Sequence, residues 1–237
     1  MKKTIVALDF STREEVMNFL ARFDEPIAVK IGMELFYACG ADMVREVRAM
    51  GHEIFLDLKL HDIPNTVKGG MKNLAGLGVN IVNVHAAGGV EMMRAAKEGI
   101  LAGTPAGKPN GPEPAKVIAV TVLTSLSQEM LTDQLGINGS VQDVAVRWAL
   151  NAKEAGLDGV VCSVHEARAI HEACGPDFLT VTPGIRLASN SADDQKRIAT
   201  PEVAKEEGCD FIVVGRAITK AEDPAKTYAT IENIMER

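Results

Sequence analysis

Eight short, β-rich apolar runs recur along this chain, and stretches with helical spacing lie between them. The runs are TIVALDF (4–10), IAVKIG (27–32), EIFLDLKL (53–60), IVNVHAA (81–87), KVIAVTVL (116–123), GVVCSV (159–164), LTVTPGI (179–185) and FIVVGRAI (211–218). REEVMNFLARF after the first run and ADMVREVRAM after the second set apolar residues at i, i+3, i+4 and i+7 steps, the stripe of an amphipathic helix. Near-continuous apolar strands alternating with such helices signal a parallel sheet covered on its outer side. Eight strand–helix units of about 30 residues each predict an α/β fold, a closed parallel eight-stranded (β/α)8 barrel of the TIM type, with residues 1–237 forming one domain. Glycine two residues before Asp or Asn at Gly78–Asn80, Gly156–Asp158 and Gly208–Asp210 marks helix ends leading into the next strand.

Composition narrows the class of partner. A net charge of −7 argues against a general nucleic-acid or anionic-membrane surface, since either needs a basic face, but leaves room for a local basic pocket. The four cysteines, Cys39, Cys162, Cys174 and Cys209, form no C-x-x-C pair and no dense framework, so they read as reduced thiols of a cytoplasmic protein. The opening MKKTIVALDF has a basic start, but its apolar stretch stops at Asp9, too short for a signal peptide, and reads as a strand. Nothing approaches the roughly 18 apolar residues of a membrane span.

In a barrel of this kind function sits at the C-terminal ends of the strands. Those ends supply Asp9, Lys30, Asp57 with Lys59, His85, Thr124 with Ser125, His165, Arg186, and Gly215 with Arg216. Asp57 and Lys59 are two apart, so strand alternation points both into the barrel mouth, while Leu56, Leu58 and Leu60 face the helices. Asp62 follows on a loop, because Pro64 disfavours helix at Ile63. With Lys30 the set makes an alternating Lys–Asp–Lys–Asp array, hard to explain as a stabilising device because buried ion pairs bring little net stability. TPGIR (182–186) and VVGRA (213–217) place glycines and arginines where such barrels commonly bind phosphate. His85 and His165 read as structural hydrogen-bonding groups rather than metal ligands, since Lys30 and Lys59 would repel a divalent cation. No metal is expected. His52 and His171 read as surface residues, and His61 stays open. GTPAGKPNGPEPAK (103–116) reads as a solvent-exposed connection, and the long polar stretch 186–201 as a lid.

These residues carry a family resemblance along nearly the whole chain. ALDF, VKIGMELF, DLKLHDIPNT, NVHAAGG, VLTS, VTPGIR, Asp194-Gln195 and VVGRAITKAEDP resemble the orotidine 5'-phosphate decarboxylase family in its shorter bacterial form. D-x-K-x-x-D alone is shared with related sugar-phosphate barrels, so HDIPNT, LTS and the glutamine carry the discrimination. The resemblance implies decarboxylation of orotidine 5'-monophosphate to UMP without metal or organic cofactor. Lys59 would donate the proton to C6, Asp57 would lie beside the departing carboxylate, and Lys30 and Asp62 would complete the charge chain. It further implies a homodimer in which Asp62 and Thr66 enter the partner's site. Asp9 and Lys30 would hold the ribose, Thr124 and Ser125 the base, and Arg186, Gln195, Gly215 and Arg216 the phosphate. The rivals are a Mg²⁺-dependent sugar-phosphate decarboxylase or synthase of the same barrel group, and a non-catalytic barrel that binds a phosphate ligand.

Overall fold

The computed structural model describes residues 1–105, 113–187 and 199–236. Strands β1 (Thr4–Ala7), β2 (Ala28–Gly32), β3 (Glu53–Leu60), β4 (Ile81–His85), β5 (Lys116–Val120), β6 (Gly159–Val161), β7 (Leu179–Thr182) and β8 (Phe211–Val214) pair in sequence order, all parallel, and β8 closes on β1. Helices α1 (Arg13–Leu20), α2 (Met33–Ala49), α3 (Pro64–Ala75), α4 (Gly89–Gly103), α5 (Val141–Glu154), α6 (Val164–Cys174), α7 (Pro201–Glu206), α8 (Arg216–Thr219) and α9 (Pro224–Glu236) cover the outside. The expected closed eight-stranded barrel is therefore the fold.

Alternation along the strands divides the core in two. Ile5, Ala7, Ala28, Phe55, Ile81, Ile118, Val181 and Val213 fill the barrel interior, while Val6, Val29, Ile54, Leu56, Val82 and Val117 pack outward against the helices. The Gly-x-Asp/Asn signals have a second role at the N-terminal end of the barrel. Asn80, Asp158 and Asp210 accept hydrogen bonds from the backbone N–H groups of Ile54, Val117 and Thr180, at 2.8, 2.7 and 2.8 Å. Each ties one strand to its neighbour just where pairing begins. The seam at β1 is held by α9: the Glu232 carboxylate, buried, accepts from Lys3 and Thr4 N–H at 3.0 and 2.7 Å.

Several sequence boundaries overshoot. Leu8, Val122, Cys162 and Ile185 are buried yet lie beyond their strands. Apolarity reports burial, and at the barrel mouth the chain leaves the ladder while its side chains remain covered. The second helix begins directly at Met33 rather than Ala41, with a break at Gly40. His52 is not a surface residue: only 3% exposed, its Nδ1 accepts from the Ile27 N–H at 3.0 Å. His171 is half-buried and meets Asp210 at 3.2 Å. His165 sits exposed in the first turn of α6, not at a strand end. The four cysteines are free thiols.

Candidate functional site

The site begins where β3 departs from regular pairing. Leu56 pairs with Val82 but Leu60 with Val84, so β3 spends four residues where β4 spends two. In the bulge Lys59 adopts φ 52°, the one non-glycine residue with positive φ among the described residues. That conformation costs an L-residue roughly 1–2 kcal/mol, and such strain persists only where surrounding contacts hold it. Leu56, Leu58 and Leu60 still pack on the helix side, as alternation predicts.

Inside the mouth the ionic groups form a chain. Lys59 Nζ lies 2.7 Å from Asp57 Oδ1, Lys30 Nζ lies 3.5 Å from Asp57 Oδ2, and the same ammonium reaches Asp9 Oδ1 at 3.1 Å. Asn83, from β4, donates to Asp57 Oδ1 at 2.6 Å and accepts from the Lys59 N–H at 2.8 Å. Burial pushes the Asp57 carboxyl up, but the charges of Lys30 and Lys59 and the hydrogen bonds from Lys59 and Asn83 outweigh it and hold the group below the usual aspartate range. It stays ionised. His85, at the end of β4, is held below the ordinary imidazole range, first by burial and then by His61 and Lys59, and its ring lies 5.6 Å from that of His61.

A cavity of about 730 Å³ opens at this mouth, within the range of small-ligand sites. Asp9, Lys30, Asp57 and Lys59 line it, and so do Thr124, Arg186, Gly215 and Arg216. Strand ends predicted these residues, though Thr124 and Arg186 lie on loops well past Val120 and Thr182, and Arg216 starts α8. Ser125 is exposed and, like Asp62 and Thr66, does not line the cavity of its own barrel. Residues 61–66, HDIPNT, are exposed throughout this single chain. Gln195 and most of the expected lid lie outside the described residues. Asn83 was not among the sequence candidates; a polar residue in an otherwise apolar strand, two residues before His85 and two after the interior Ile81, was the available signal.

Fold and site together define a class, the (β/α)8 barrels with an ionic strand-end site at the C-terminal mouth. Within that class, the chain belongs to the Orotidine 5'-phosphate decarboxylase / HUMPS family, whose sequence profile matches residues 2–231. A relative named orotidine 5'-phosphate decarboxylase, from Lysinibacillus sphaericus, is 57% identical over 99% of this chain and 98% of its own length. Its namesake from Listeria monocytogenes is 56% identical over 96% of each. The crystal structure of orotidine 5'-phosphate decarboxylase from Lactobacillus acidophilus superposes with a TM-score of 0.89 at 43% identity, covering 100% of both chains.

Proposed function

We infer that this chain decarboxylates orotidine 5'-monophosphate to UMP in pyrimidine biosynthesis. The observation that carries the reading is the chain of Lys30, Asp57 and Lys59 within one cavity that also holds Gly215 and two arginines. Such a cavity suits a ligand that presents a reacting centre to the lysines and an anionic group to the arginines. The relatives' names supply the ligand.

When the C6–carboxylate bond breaks, its electron pair stays at C6, in the plane of the pyrimidine ring, where the ring carbonyls delocalise it poorly. Stabilisation must then come from a fixed positive charge close to that one carbon. The Lys59 ammonium provides it, donates a proton to C6, and regains one from solvent. Asp57 holds Lys59 and lies beside the substrate carboxylate as CO₂ departs. Asp9 and Lys30 bind the ribose hydroxyls, and Thr124 and Ser125 the base. Arg186, Arg216, the Gly215 N–H and Gln195 bind the phosphate. Asp62 and Thr66 act across a homodimer interface, a reading supported by their exposure and by Ile63, 68% exposed between them. The reaction belongs to the cytoplasm and needs no metal or organic cofactor, because Lys59 supplies the charge.

The test is ultraviolet-monitored loss of orotidine 5'-monophosphate in excess EDTA, with wild-type protein and Lys59→Ala. Conversion to UMP by the wild type, with kcat reduced by several orders of magnitude in Lys59→Ala and nucleotide still bound, is expected. Retained turnover in Lys59→Ala removes the assignment; activity that needs added Mg²⁺ points instead to sugar-phosphate chemistry.

A further inference from the structure

We propose that Asn83 is a positioning residue for the Asp57–Lys59 pair, its single carboxamide fixing both the carboxylate and the backbone bulge that aim the Lys59 ammonium. The proposal rests on the reading that Lys59 protonates the substrate. Asn83 is 1% exposed in the middle of β4, where asparagine is a poor strand former and an unsatisfied amide would be costly. It makes two bonds, and both go to the reactive dipeptide-plus-one of β3: Oδ1 accepts from the Lys59 N–H, and Nδ2 donates to Asp57.

The amide orientation follows from chemistry. The flipped form would set its NH₂ against a backbone N–H and its oxygen against a carboxylate, losing both bonds. Where β3 bulges, the Lys59 N–H is thus satisfied by a side chain, and this contact supports the left-handed Lys59 backbone. At the carboxylate, Asn83 and the Lys59 ammonium share Oδ1 while Oδ2 faces Lys30 at 3.5 Å. Asn83 thereby selects which oxygen meets which lysine. Without it the carboxylate is free to rotate and the ammonium loses its fixed aim. Asn83 bears no charge and transfers no proton, so its effect passes entirely through Asp57 and Lys59.

Asn83→Asp separates this role from simple packing. When protonated, the new side chain reproduces both bonds, its O–H donating to Asp57 and its carbonyl accepting from Lys59. When ionised, it sets two carboxylates at hydrogen-bond distance with no proton between them, and they repel. The expected result is a kcat that recovers toward the wild-type value in acid and falls about tenfold per pH unit above the pair's apparent ionisation, a limb absent from the wild type. Asn83→Leu, lacking both bonds, is expected to lose about 10- to 100-fold in kcat at every pH, with KM changed less than about threefold. An Asn83→Asp profile that parallels the wild type, or a folded Asn83→Leu within about twofold of wild-type kcat, overturns the proposal. Circular dichroism at each pH monitors folding: if Asn83→Leu does not fold, the Asn83→Asp profile decides, and failure of both to fold overturns the proposal in favour of a purely structural role. Wild-type protein assayed in parallel with orotidine 5'-monophosphate separates the two inferences. No wild-type turnover removes the proposed reaction, whereas wild-type turnover with an unaltered Asn83→Asp profile removes only the bridge.

Discussion

Asp57 accepts hydrogen bonds from Lys59 and Asn83 and faces Lys30, and its depressed ionisation has a defined sign for stability. A carboxyl that binds its proton less tightly in the folded state stabilises the fold above the ordinary aspartate value. That contribution is lost as pH falls through the lower folded value. Neutral-pH chemistry therefore finds the lysines paired with an anion. With Arg216 in the phosphate role proposed above, Arg216→Ala is expected to lower kcat/KM by about 2–4 kcal/mol of transition-state stabilisation, because a charge-assisted contact to a dianion would be lost while the Gly215 N–H remains. Steady-state kinetics with orotidine 5'-monophosphate measure it, and an unchanged kcat/KM removes Arg216 from the phosphate site. Residues of this kind were legible where parity and charge coincide: Asp57 and Lys59 had to face the same way, and two opposite charges facing inward demanded an explanation. His52 was not legible, and Asn83 was marked only by its polarity within an apolar strand, because both residue types resemble surface groups and the tertiary partners, the Ile27 N–H and Asp57 with Lys59, account for their burial.

The elements that carry Asp62 and Thr66 are set by close helix packing. On α4, Gly99 and Gly103 lie one turn apart, and a Cβ at either would overlap a backbone carbonyl of α3, that of Lys68 or of Lys72. The two helices can approach this closely only because those side chains are absent. Since α3 starts at Pro64, directly after the loop bearing Asp62, displacement of α3 moves both Asp62 and Thr66. Gly99→Ala is accordingly expected to destabilise the fold by about 1–3 kcal/mol through overpacking and to lower kcat as well. Gly69→Ala is the control: its Cβ meets nothing within 4 Å, so improved helix propensity should leave stability equal or raised by up to about 1 kcal/mol. Urea unfolding of both variants checks this, and equal stability of Gly99→Ala and wild type would contradict the packing argument. The eight strands were readable from apolar runs because each is covered on both faces. Their ends were less so, because Leu8, Val122 and Cys162 remain buried after pairing stops, and the β3 bulge leaves no mark in an alternating pattern that keeps the same parity through it.

On the scale of the whole molecule, the cavity of one barrel is lined without HDIPNT, which is turned to solvent. Ile63 is 68% exposed there, and Tyr37, on α2, is 73% exposed. A symmetric pair of chains would cover such a surface and bring each Asp62 into the other's mouth, because a two-fold interface gives and receives the same residues. The arrangement makes a prediction that a self-contained site cannot match. Lys59→Ala and Asp62→Ala are each expected to be severely impaired as homodimers. Mixed under conditions that exchange subunits, they form hybrids with one doubly altered site and one intact site, the latter combining Lys59 from the Asp62→Ala chain with Asp62 from the Lys59→Ala chain. With hybrids making up about half of all dimers, and half of their sites intact, the mixture should recover about one quarter of wild-type activity. Recovery should track the extent of subunit exchange followed by size-exclusion or native mass analysis of tagged chains. Exchange without recovery would place Asp62 in its own barrel's site, and a chain that stays monomeric while fully active would leave HDIPNT without the role its exposure supports.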